Sequence, residues 1–321
     1  MNKFGANAVH GSLRMTFPLK LAIYGFLFSF TLLTAAETRQ ARSTTPHSRD
    51  FWLSIVKHNG AVPEGESIPG LARELSSLLG SPDPELRDEI AYSILDAWIV
   101  RQRRLSPSEL LVLLDEWRAN LRKGLGESGT DSVLKRSFSA LCLASLAEYD
   151  LRSSFLDESH YRALLAAALA YLKGERDLRG FDAAKGWIHS TAHTADLLKP
   201  LASNALFTKN DQQTVLAAIS EKLSSAREVY TQGEQGRLAQ TVVAIVRRSD
   251  FDGAAFDGWL AQLKEEDRAT WSEKPLTPAT LARYQNHTYT FEAIVARMSM
   301  ESLSGAALAA REALVNVLKR R

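Results

Sequence analysis

The stretch Glu85-Leu86-Arg87-Asp88-Glu89-Ile90-Ala91-Tyr92-Ser93-Ile94-Leu95-Asp96-Ala97-Trp98-Ile99-Val100 decides the fold. Leu86, Ile90, Ile94, Leu95 and Trp98 recur at helical spacing, and Arg87, Asp88 and Glu89 are assigned to the opposite side. A period near 3.6 makes an amphipathic helix, whereas strict alternation would make a half-buried strand. Ser81-Pro82-Asp83-Pro84 punctuates its start. Just beyond it, Ser106-Pro107-Ser108-Glu109 carries a stronger start signal. Ser is placed to cap, Pro to enter the first turn and Glu109 to return a bond three residues on. Leu110, Leu113, Leu114, Trp117 and Leu121 line the next face before Lys123-Gly124 ends it.

The same pattern extends outward from this pair. Further helices are predicted near 67–79, 130–148, 158–173, 185–199, 209–227, 235–247, 251–264, 277–298 and 303–319. Glycines and prolines such as Gly174, Gly180, Pro200, Gly233 and Pro275 fall between or at the ends of these segments. No alternating stretch suggests a strand. The predicted class is therefore all-α. The arrangement expected is a HEAT-like α-solenoid or multi-helix array, although no strict repeat is visible. Tryptophans 52, 98, 117, 259 and 271 are assigned to the core, as is the single cysteine, Cys142, in its apolar setting.

The chain has 321 residues, 39 basic and 37 acidic. Lys3, Arg14 and Lys20 lie in the first 36 residues, which hold no acid, so the remainder is close to neutral. Such a body argues against a nucleic-acid partner, which would call for a basic surface. Residues 21–33 form an uncharged apolar run followed by Thr34-Ala35-Ala36. This is the grammar of a secretory signal, with cleavage after Ala36 and either Met1 or Met15 as the start. Residues 1–36 are thus read as a signal peptide, 37–49 as a polar spacer and 50–321 as one helical domain. The expected location is periplasmic or secreted. The alternative is a retained N-terminal anchor, the one route to a membrane, although the run is short for a span.

The chemistry concentrates in residues 175–202. If residues 185–199 are helical, successive residues turn by about 100°. Lys185, His189, His193 and Asp196 then share one stripe, with Trp187, Ile188, Ala195, Leu198 and Leu201 opposite. Two imidazoles four apart, with a carboxylate on the following turn, suit a divalent ion such as zinc, iron or manganese. Glu175, Asp177 or Asp182 would add a ligand or a base. Ser190 replaces the glutamate of a His-Glu-x-x-His protease. The same stripe equally suits a metal-free face that binds a polar ligand or a partner protein, or a purely structural network. Arg179, Glu234 and Arg237 are placed beside it. Glu234 and Arg237 either pair at a helix start or face the histidines from a neighbouring helix. Asn286-His287-Thr288 forms a formal glycosylation triplet. The usual serine-hydrolase, P-loop and dinucleotide signatures are missing, so the enzyme alternative is a metal-dependent, hydrolase-like one.

Arg179-Gly180 followed by Lys185-Gly186-Trp187-Ile188-His189-Ser190-Thr191-Ala192-His193-Thr194-Ala195-Asp196-Leu197-Leu198 resembles the signature of the uncharacterised bacterial family DUF2785. The resemblance is specific over about 30 residues and extends over roughly residues 70–265. It implies an all-helical fold and no defined activity. Gly233-Glu234-Gln235-Gly236-Arg237-Leu238-Ala239 is a second family-like element, in which Gln235 stands where the resemblance implies an acid. An export signal is atypical of that resemblance.

Overall fold

A computed structural model describes residues 46–319. The segment read as a signal peptide, the choice of start and most of the segment read as spacer lie outside the described residues. Helix α1 spans Arg49–Lys57, with the Ser48 hydroxyl accepting from the Phe51 N–H. It begins inside the segment read as spacer. His47, one residue before the Ser48 cap, hydrogen-bonds Glu74 and stacks on Phe51. Helix α2 is Ile68–Leu78. Residues 85–101 follow as one rod, α3, with wide i→i−5 turns over Glu85–Tyr92 and Ala97–Arg101 around an α-turn at Ser93–Asp96. Helix α4 is Pro107–Asn120 and carries the anticipated reciprocal cap between Ser106 and Glu109.

Helices α5 (Ser132–Arg152), α6 (Glu158–Gly174), α7 (Ser190–Ser203), α8 (Lys209–Ser225) and α9 (Glu234–Val246) come next. Helices α10 (Gly253–Ser272), α11 (Pro278–Met298) and α12 (Gly305–Leu318) complete the described chain. The all-α expectation holds, with one small exception. Phe181–Asp182 (β1) and Gly186–Trp187 (β2) form an antiparallel hairpin where the sequence reading places the first turn of a helix.

Alternate helices pack side by side. Helix α3 lies on α5, α5 on α7, α7 on α9 and α9 on α11. A second row runs α6, α8, α10, α12. One continuous apolar cluster draws on both rows, including Leu164 and Tyr171 from α6, Leu198 and Leu201 from α7, and Ile245 from α9. Cys142 and tryptophans 52, 98, 117 and 259 are buried as expected, but Trp271 is 53% exposed. No described helix is long and apolar enough to cross a membrane.

One surface assignment is reversed, and the formal glycosylation triplet turns out to be buried at its asparagine. Arg87 is fully buried. Its i+3 and i+7 neighbours, Ile90 and Ile94, are buried too, so it belongs to the inward stripe of α3. Carbonyls accept from two of its three nitrogens: NH1 donates to Ser81, and NH2 donates to Lys185 and Trp187. Asn286 is also fully buried, donating to the Glu228 carbonyl and accepting from the Tyr230 N–H. Its triplet is therefore no glycan acceptor.

Candidate functional site

The segment entering α7 is held by buried charge. Glu175 caps the turn after α6 by accepting from the N–H groups of Arg176 and Asp177. Arg136 of α5 grips the same carboxylate through Nε at 2.7 Å and NH2 at 3.2 Å, and both side chains are almost fully buried. Lys222 of α8 donates to the Glu175 carbonyl at 2.7 Å, and burial pushes its ammonium down to about 8. Asp177 accepts from the Gly129 N–H and from Arg179, whose NH2 also reaches the Thr130 carbonyl. Arg179 thus fastens the segment to the α4–α5 connection. Lys185 pairs with Asp131 in the same region.

The hairpin displaces the predicted start of α7. His189 has φ +51°, a left-handed conformation that ends the non-helical segment, and regular helix starts at Ser190. Lys185 and His189 are consequently not on a helical stripe with His193, and Trp187 is not on the opposite face of that helix. At its other end α7 runs past Pro200 to Ser203. Trp187 is 41% exposed, stacked on His189 with ring centroids 4.7 Å apart, instead of packing inward.

The two histidines face each other edge-on at 5.6 Å, but their nitrogens have different partners. His189 Nε2 donates to the Gln232 carbonyl at 2.9 Å, with Glu234 Oε1 at 3.5 Å. Gly180 packs tightly beneath this contact and accepts from the Ile188 and His189 N–H groups. His193 Nδ1 meets Ser137 Oγ at 2.8 Å. The single Ser137 hydroxyl proton goes to the Ile188 carbonyl, so Nδ1 is the donor to Ser137 and Nε2 retains its lone pair. Burial lowers the pKa of both rings, strongly for His193, where His189 and Arg237 add to the effect. Both are neutral imidazoles at pH 7.

Asp196, one turn beyond His193, is paired with Arg237 of α9. Glu234 and Arg237 therefore face the α7 segment from the neighbouring helix and do not pair with each other. Gln235 lies deeper, its amide donating to the Tyr230 carbonyl and to Asn286 Oδ1. A carboxylate could not donate to those two oxygens, which is the physical reason for an amide here.

The proposed ligand triad does not converge. His189 turns to Gln232, His193 uses Nδ1 on Ser137, and Asp196 is held by Arg237. Among the described residues no three His, Cys, Asp or Glu side chains are placed to hold one metal ion. The donor set as folded does not fit zinc, iron or manganese.

What does converge is a groove of about 410 Å³ across α3, α5, α7 and α9. Helix α7 supplies His193, Asp196 and Lys199 at three-residue intervals, and α9 supplies Arg237. Helix α3 supplies Tyr92 and Asp96, and α5 supplies Ser145 and Glu148. Ser145 Oγ donates to Asp96 at 2.8 Å. Burial, reinforced by Asp96, pushes the Tyr92 hydroxyl pKa up, so it stays a neutral donor. Arg179, Lys185, Trp187, His189 and Glu234 do not line this groove. Tyr92, Asp96, Ser145, Glu148 and Lys199 are the residues that sequence reasoning missed. The available signal was Asp96 amid the apolar residues of α3 and Ser145 inside the apolar run of α5.

A model of the family described as "Protein of unknown function (DUF2785)" matches residues 121–295. That span starts later and ends later than the 70–265 implied by the resemblance. It takes in α5 to α10 with the hairpin, and most of α11, but not Tyr92 and Asp96. No curated protein and no solved structure matches the chain.

Proposed function

The chain belongs to the DUF2785 family, whose description assigns no activity, and we propose from the geometry that it binds a small polar ligand in the groove across α3, α5, α7 and α9. The observation that carries this reading is the His193 lone pair. Ser137 and Ile188 fix the tautomer, and Nε2 has no hydrogen-bond partner among the described residues, on a side chain that lines the groove. A ligand hydroxyl or amine donates to it. The Asp196–Arg237 pair beside it offers one acceptor and one donor, and Tyr92 and Asp96 do the same from across the groove. A volume near 410 Å³ suits a small molecule better than the broad surface of a protein partner.

We read the two rows as a HEAT-like stack, an architecture that commonly places ligands along one row of helices. We also propose that the protein acts outside the cytosol, on the strength of the signal grammar of residues 1–36.

The test is a ligand-detected NMR screen of the purified protein against amino acids, monosaccharides, nucleotides and dicarboxylates. Binders should weaken at least about tenfold in both His193→Gln and Arg237→Gln, corresponding to roughly 1.4 kcal/mol. A screen without binders, or binders indifferent to both substitutions, overturns the reading. For export, N-terminal sequencing of the mature protein should begin at Glu37. An intact residue 1–36 segment on cytosolic protein overturns that part.

A further inference from the structure

Next to the groove, along α7, α9 and α11, lies a second hollow of about 330 Å³. Its lining includes Lys199 and Ser203 from α7, Gln240 and Arg247 from α9, Arg297 from α11, and Glu301 just beyond it. Three cations thus meet one carboxylate. That carboxylate is already paired with Arg247. Lys199 and Arg297 have no ion-pair partner among the described residues, and Arg297 Nε is enclosed without any hydrogen-bond acceptor. A guanidinium with a sealed, unsatisfied donor costs stability unless something supplies the acceptor.

We propose that this hollow is an oxyanion-binding site, taking a carboxylate or phosphate group between the Lys199 ammonium and the Arg297 guanidinium. Planar N–H groups on Arg297 match two oxygens of such a group, while Lys199 acts as a point charge from the opposite helix. Ser203 and Gln240 line the same space and supply neutral hydrogen-bonding groups. The site lies outside the His193 groove except for Lys199, which lines both. Its other lining residues take no part in the groove.

Calorimetric titration at low ionic strength tests this with two probes, inorganic phosphate and succinate. Saturable binding of one or both is expected, and the stronger probe identifies the oxyanion. Affinity should fall at least tenfold in Arg297→Gln and in Lys199→Gln. It should be unchanged in His193→Gln, which alters only the groove. It should also be unchanged in Arg268→Gln, a surface arginine paired with Glu265. The proposal is overturned if neither probe binds saturably. It is equally overturned if the loss in Arg268→Gln matches that in Arg297→Gln, which is diffuse charge attraction. Lys199→Gln, at a partly exposed position, keeps the test decisive if Arg297→Gln fails to fold.

Discussion

Ser137 Oγ stands 2.8 Å from His193 Nδ1 and donates its own hydrogen bond to the main-chain carbonyl of Ile188. A residue of α5 thereby chooses the tautomer of a residue of α7, and at the same time secures the end of the hairpin segment. Ser137→Ala would leave a buried N–H and a buried carbonyl without partners. The expected loss is about 1–3 kcal/mol. Denaturant unfolding measures it, and nitrogen-15 NMR of His193 should show the wild-type Nδ1–H form give way to a mixture. Unchanged stability together with an unchanged tautomer would contradict the assignment.

Acid should destabilise the protein through the two histidines. Both rings have pKa values lowered by burial, so in the unfolded chain they take up protons first as pH falls. Stability from this source is complete above about 6.5, the ordinary histidine value, and is lost as pH falls below it toward the folded values. Melting temperature should drop between pH 7 and 5, and His193→Gln should flatten that drop. A wild-type profile that is level, or that rises on acidification, would refute the sign.

Arg136 and Glu175 form the buried pair that anchors the segment ahead of the hairpin. Arg136→Met strands a carboxylate in the interior and should cost about 3–5 kcal/mol. Adding Glu175→Gln removes the stranded charge and should restore part of that loss in urea unfolding. Additive losses in the double variant would mean that the two side chains are not coupled.

Gly180→Ala tests the close approach of the two loops. An added Cβ would sit 2.5 Å from Gln232 Cγ and 2.7 Å from Glu234 Oε1. Overpacking of this kind costs about 1–3 kcal/mol. It should also detach His189 from the Gln232 carbonyl, seen as a shift of its Nε2–H resonance. A resonance and melting temperature identical to wild type would show the loops to be looser than described.

Most of the helical framework was readable from periodicity and punctuation. The cap at Ser106–Glu109 and the helices from α4 to α12 follow from local rules, apart from boundaries such as the far end of α10. Helix α1 was overlooked because only nine residues carry it, too few for a strong period. The stripe through Lys185, His189 and His193 failed for a different reason. A helical wheel assumes continuous helix, whereas the carbonyls gripped by Arg87 and the left-handed turn at His189 hold residues 181–189 out of it.

By itself the sequence determined an all-helical chain, a body of near-neutral charge and a polar cluster around His193, because spacing, capping and composition act within a few residues. Only the tertiary structure decided which side chains share a hollow. Tyr92, Ser145, Asp196 and Arg237 come from four helices, so their meeting depends on how successive helices of one row pack side by side. Separation of the metal donors is also tertiary, since Gln232, Ser137 and Arg237 occupy their bonding groups from outside α7. Hydrogen bonds and ion pairs between distant segments have no period, so no local rule anticipates them.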